Sequence, residues 1–215
     1  MDQLNRLKTD PIARVLKREH GAARAQAQAR RRDADPAERA ERMKSSYLAI
    51  RPDQGRWLYG LVVATGAKEI VEFGTSFGIS TLYLAAGAAE TGGRVTGTEF
   101  HPEKAGKARA NLAEAGLEAE ILVGDALETL AGEGAEIDLL FLDGGKDLYL
   151  PVLQRLLPRL HRGSVVVADN IPVEREARKS GPTAPFHAFL RDPANGFVSS
   201  VAAFAKGGMS FSVKL

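Results

Sequence analysis

Residues 139–149, LLFLDGGKDLY, and 164–170, SVVVADN, each run apolar and then stop abruptly at acidic and amide side chains. A short apolar run bounded by polar turn residues is the pattern of a strand buried on both faces. Read as parallel strands, the two segments bring Asp143, Asp169 and Asn170 to the carboxyl edge of one sheet, where open α/β sheets bind ligands. Three oxygen donors converging there fit a hard divalent cation such as Mg²⁺, which keeps positions open for water or substrate. Lys146 lies three residues beyond Asp143, at the start of a predicted helix. A lysine beside such a cation and shielded from water has a lowered pKa and can act as a base. The plainer readings are a solvated first-turn lysine and an Asx turn at Asp169-Asn170.

Outward from these segments, the chain from Lys68 onward alternates. Short apolar runs stand at 69–73, 94–98, 119–123, 137–142 and 164–168, separated by helical stretches at 78–89, 102–115, 125–131 and 147–160. That βαβα rhythm predicts a mostly parallel sheet with helices on both faces. Two further extended runs, Phe197 to Ala203 and Met209 to Val213, meet around Lys206-Gly207-Gly208 and predict a terminal antiparallel hairpin, for seven strands in all.

The first fifty residues read as helical. Leu4, Leu7, Ile12, Val15 and Leu16 form an apolar stripe, and the Ala/Gln/Arg run at 22–32 favours helix while offering little to bury. Asp35-Pro36 has the form of an N-cap with a first-turn proline. Another helix is predicted from Pro52, burying Trp57, Leu58, Leu61 and Val62. Residues 1–50 thus form a helical extension of the same domain, a dimer surface or a cap over substrate, and 51–215 form the ligand-binding domain.

Composition excludes several chemistries. The 215 residues suit one domain, with 44% hydrophobic and 26% charged residues. There is no cysteine, which rules out disulfides, zinc–thiolate centres and thiol nucleophiles. No signal-like segment and no run of membrane-spanning length is visible, so a cytoplasmic location is expected. The net charge of +2 is uneven, because residues 1–44 hold 12 Lys/Arg against 7 Asp/Glu. The Arg30-Arg31-Arg32 run there reads as a solvated helical face, or as an arm for a polyanion such as RNA.

Segment 71–81, VEFGTSFGIST, is a strand, a glycine-bearing turn and a helix start. Gly74 and Gly78 allow a tight turn and close backbone approach, while Ser76, Ser80 and Thr81 offer hydroxyls near free helix N–H groups. The spacing is G-x-x-x-G rather than G-x-G-x-x-G, which argues against a dinucleotide. Glu99 ends the next strand, where a carboxylate can accept both hydroxyls of a ribose. Asp125, after the strand beyond, can face an adenine amino group or simply cap 126–131. All four histidines, His20, His101, His161 and His187, read as surface or structural, His101 and His161 in turns, with a substrate contact as the alternative for His187 alone.

Together these segments resemble the cation-dependent, catechol and caffeoyl-CoA type O-methyltransferases that use S-adenosylmethionine. VEFGTSFGIST is similar to the family's first cofactor motif, GTEF to its ribose-binding acid, GDALE to its adenine-side segment, and FLDGGKDLY and VVVADN to its metal and base motifs. IRPDQGRWL at 50–58 resembles the family's lead-in to the first strand. The resemblance implies a Rossmann-like class I methyltransferase fold and, usually, a homodimer. It implies that Glu72, Gly74, Ser76 and Ser80, with backbone near Ile50, hold the methionine end of the donor. Glu99 would take the ribose, and Asp125 with Ala126 the adenine. Asp143, Asp169 and Asn170 would ligate Mg²⁺ or another divalent cation, Asp143 also bordering the cofactor, and Lys146 would be the base. The acceptor would be a vicinal dihydroxy aromatic molecule. Gly144-Gly145 stand where some members carry bulky side chains, and the loop at 171–186 is rich in proline and charge. A hydroxylated tRNA base as acceptor, and a non-catalytic nucleotide-binding module, are the alternatives.

Overall fold

The computed structural model describes residues 5–29, 44–205 and 207–215. Leu4, the Arg30-Arg31-Arg32 run, the Asp35-Pro36 cap and Lys206 lie outside the described residues. Seven strands form one sheet in the order β3-β2-β1-β4-β5-β7-β6. They are β1 Glu69–Phe73, β2 Arg94–Glu99, β3 Glu120–Val123, β4 Ile137–Leu142, β5 Leu160–Ile171, β6 Phe197–Ala203 and β7 Gly208–Lys214. β1 to β5 pair in parallel, whereas β7 joins β5 and β6 antiparallel. The expected parallel sheet with an antiparallel ending is thus the observed one.

Two hydrophobic cores, one on each sheet face, follow from strand periodicity, since successive side chains point to opposite sides. Ile70, Leu139, Phe141, Val165 and Val167 enter one core, and Val71, Leu140, Leu142, Val166 and Ala168 enter the other. Helices α1 Asp10–Ala29, α2 Pro52–Thr65, α3 Ile79–Thr91 and α4 Pro102–Ala115 supply the first core. Helices α5 Ala126–Thr129, α6 Tyr149–Leu156 and α7 Ala184–Arg191 supply the second.

Three local expectations differ. Residues 46–50 are not helical but run without regular structure; the amide of Gln26 holds them, donating to Ser45 O (2.9 Å) and accepting from Tyr47 N (2.6 Å). Helix α7 begins inside the stretch expected to be loop, because Pro185 sits in its first turn, where a proline costs no hydrogen bond. His161 lies in β5, not a turn, and pairs with Asp138 Oδ1 at 3.0 Å.

The apolar stripe of α1 is consumed within the chain. Ile12, Val15 and Leu16 are buried in the first core, so they do not offer an apolar face to a second copy. The same helix buries His20, whose Nε2 lies 3.0 Å from Tyr83 Oη. Burial, reinforced by Arg24 and Arg56, holds the His20 imidazole down at about 4. Burial with Arg178 and Arg191 holds His187 at about 4 as well.

Both folded-state values lie below the ordinary 6.5. As pH falls from there toward about 4, the unfolded chain takes up protons that the fold refuses, and stability is lost across that window. His20→Gln, which keeps a hydrogen-bonding group for Tyr83, is expected to flatten that decline. Thermal midpoints of both proteins followed through the window check it, and parallel curves would reject it.

Candidate active site

Strand β1 neighbours β2 on one side and β4 on the other, so the chain reverses its direction of winding between β1 and β4. The carboxyl ends of strands flanking such a switch point leave a crevice. Two turns close it together. Asp143 N–H donates to Phe73 O (2.8 Å), and Gly74, at φ +98°, lies so close that a Cβ there would stand 2.6 Å from Gly144 N. A Cβ on Gly144 would run into the Phe73 ring. Phe73 therefore explains the glycine at a position where the family resemblance leads one to look for a bulky side chain.

The glycine turn organises a first group of residues. Ser76 adopts a left-handed conformation, φ +49°, and its N–H donates to Glu99 Oε2 (2.8 Å); Glu99 Oε1 accepts from His101 N–H (2.9 Å). Ile50, Gly74, Ser76 and Ser80 line one cleft, together with Tyr47 and Phe77. Glu72, near the end of β1, is fully buried, accepting from Thr75 Oγ1 (3.0 Å) and Thr81 Oγ1 (2.5 Å). Thr81 is thus spent within the protein rather than free for a ligand. Burial pushes the Glu72 carboxyl up, with the Ser80, Thr81 and Thr75 hydroxyls opposing. Glu72 Oε1 and Ser76 Oγ are buried with no hydrogen-bond partner. Unpaired buried polar atoms are costly, so a carboxylate oxygen and a hydroxyl without partners around one glycine turn fit a polar, cationic ligand group. Asp125 caps α5 by accepting from Leu127 N–H (2.8 Å), leaving Ala126 buried behind it. Gly124 N–H donating to Glu99 O (3.0 Å) places this end of β3 next to that of β2.

A second group gathers at β4 and β5. Asp169 and Asn170 sit where the β5–β7 register slips between Ala168 and Ile171, and Asn170 takes φ +56°. The segment is therefore an irregularity within a strand rather than a turn after it, and such irregularities re-aim side chains. Asn170 Nδ2 donates to Asp169 Oδ2 (3.0 Å), and Gln54 Nε2 donates to Asp169 Oδ1 (2.7 Å). Lys146 Nζ donates to Asp143 Oδ1 (3.1 Å) and to Tyr149 Oη (2.6 Å), and Tyr149 Oη donates in turn to Asp169 O (3.0 Å). Burial above all pushes the Asp143 carboxyl up to about 8; Asp169 and Glu72 add to the rise and Lys146 opposes it. Burial raises Asp169 too, against the Asn170 backbone, Lys146 and Gln54. Among the described residues, no three His, Cys, Asp or Glu side chains form a metal-binding group. The predicted set holds only two such acids and an amide. Its chemistry fits a divalent cation, whose charge would restore both buried carboxylates to their anionic form.

Two contributors escaped the sequence reading. Tyr149 closes the FLDGGKDLY segment and is fully buried, so its hydroxyl fixes Lys146 from below. Gln54 lies on the buried face of α2 with Leu58 and Val62. A polar residue on an otherwise apolar helical stripe is the signal that could have singled it out. His187 is buried beside Phe186, their rings 5.5 Å apart.

Residues 71–171 match the family model described as a methyltransferase domain. The chain is 39% identical over 127 residues to the catechol O-methyltransferase of Mycobacterium tuberculosis, covering 58% of this chain and 57% of that protein. It is 32% identical over 144 residues to the catechol O-methyltransferase of Niastella koreensis, covering 64% and 65%. In both cases the match spans less than two thirds of the relative's length. An O-methyltransferase from Bacillus cereus, solved in complex with SAH, superposes with a TM-score of 0.73 at 24% identity, over 100% of this chain and 96% of that one. At that identity the likeness speaks for the fold. Among the described residues, no helix is long and apolar enough to cross a membrane.

The contact between the two turns makes Gly74 sensitive. Gly74→Ala meets both the positive φ and the Gly144 backbone, and is expected to cost about 1–3 kcal/mol or more in chemical denaturation. Wild-type stability in that variant would refute the close approach.

Proposed function

We propose, for a chain that carries a methyltransferase domain over residues 71–171, that it transfers a methyl group from S-adenosylmethionine to a hydroxyl of a vicinal dihydroxy, catechol-like small molecule with the help of Mg²⁺. The observation that carries the reading is the adjacency of two unlike groups across the β1–β4 junction. One is a glycine turn with unpaired Glu72 and Ser76 atoms, and the other a pair of buried acids, Asp143 of which is bonded to Lys146. The acceptor class is supported by the activity for which the bacterial relatives are named.

Glu72 and Ser76 bind the amino-acid end of the donor, under the backbone of Ile50 and beside Ser80. Glu99, already oriented by Ser76 N–H, takes the ribose hydroxyls, while Asp125 and Ala126 border the adenine. Asp143, Asp169 and Asn170 hold the cation. Bound S-adenosylmethionine supplies an electrophilic methyl group, and the cation supplies Lewis acidity that makes a chelated hydroxyl more acidic. Lys146 accepts the hydroxyl proton at Nζ, which Asp143 and Tyr149 fix in place. Much of the rate comes from holding both reactants in line, which replaces a bimolecular encounter.

Transfer of labelled methyl to a panel of catechols, with Mg²⁺ or with EDTA, tests this. Asp169→Ala is expected to abolish transfer, and Lys146→Ala to slow it by about 10²–10⁴-fold. Activity that survives EDTA would remove the metal from the reading. Donor binding without transfer to any acceptor would favour a non-catalytic module instead.

A further inference from the structure

Gln54 touches both halves of the site. Its side chain is buried, with 3% exposure, and both ends of its amide are engaged. The Oε1 atom accepts from Arg51 N–H (2.8 Å), next to the Ile50 backbone that lines the cleft. The Nε2 atom donates to Asp169 Oδ1 (2.7 Å). From this geometry we infer that Gln54 is a positioning residue that couples occupancy of the donor cleft to occupancy of the cation site. The inference rests on the function proposed above.

The choice of residue supports it. At the third position of a helix, glutamate and glutamine serve equally to cap the preceding N–H, since each offers a carbonyl-type oxygen. Only the amide also carries a donor on the same rigid plane. A glutamate at 54 would cap Arg51 as well, but would set a second negative charge against Asp169. The amide is therefore explained by its Asp169 end, not its capping end. The first turn of α2 has little freedom to slide, because Gly55 packs so tightly beneath the Tyr83 ring that a Cβ there would overlap the ring carbons. A ligand that shifts Ile50–Arg51 must then move the amide relative to Asp169. A cation that draws on Asp169 Oδ1 must likewise pull the amide from its cap. Because such coupling is reciprocal, each ligand alters the other's affinity by the same factor.

Calorimetric titration of S-adenosylhomocysteine into the full chain, with and without saturating Mg²⁺, measures that factor without recourse to turnover. The wild type is expected to show at least about a fivefold change in affinity. Gln54→Glu, which keeps the cap, loses the donor to Asp169 and adds a charge there, is expected to bind S-adenosylhomocysteine with a factor near one. Gln54→Leu should do the same if it folds. The charge added by Gln54→Glu shifts cation affinity itself, but leaves a ratio of one if the link is broken. A wild-type factor of one, or a Gln54→Glu factor equal to that of the wild type, would overturn the coupling. A wild type that gives a blank titration would instead overturn the donor assignment, and the coupling with it.

Discussion

The site depends on one close contact, the packing of the Gly74 turn against the Asp143–Gly144 backbone. Parallel strands lie side by side with their carboxyl ends together, and here β1 and β4 also mark the place where the sheet reverses its winding. With the Phe73 ring over Gly144 and no side chain on Gly74, the two loops approach at backbone distance. The cleft beyond Gly74 and the acidic group beyond Asp143 become neighbours for that reason. Any side chain at either glycine would wedge the two apart.

Around that contact the protein keeps polar groups buried at a cost. Glu72, Asp143 and Asp169 are all pushed toward their neutral forms, chiefly by burial. Hydroxyls from Thr75 and Thr81, an amide from Gln54 and the Lys146 side chain offset part of that cost. What stays unbalanced is local: an unpaired carboxylate oxygen behind the glycine turn, and two acids near one lysine. Strain of this kind concentrates where ligands bind, because a ligand can relieve it.

The N-terminal helix has a part in this arrangement as well. Buried Glu19 accepts from Arg18 Nε (2.8 Å) and from Tyr47 Oη (2.6 Å), and Lys107 Nζ donates to Tyr47 Oη (2.7 Å). The Tyr47 ring packs on Phe77, with centroids 4.5 Å apart. Helices α1 and α4 thereby fix the segment before Ile50 against the glycine turn. The extension acts as a wall of the cleft, which is more than its apolar stripe alone would indicate.

The sequence by itself determined the strands, their order of chemistry and the sheet's antiparallel ending. Each of the strands β1 to β5 contains the short run that the sequence marked, although β5 starts earlier, at Leu160, and the side chains of each run alternate on a period that local sterics impose. Asp143, Asp169 and Asn170 stood out in the sequence as polar residues that follow buried apolar runs, and Lys146 as a lysine three positions beyond Asp143. Only the tertiary structure decided what those residues touch. Gln54 and Asp169 are 115 positions apart, and their hydrogen bond exists because α2 and β5 pack in three dimensions. Tyr149 reaching both Lys146 and the Asp169 carbonyl, the hold of the Gln26 amide on residues 45–47, and the helix that begins at Pro185's turn likewise follow from packing. Periodicity records which face of an element is buried; it holds no information on which distant element buries it.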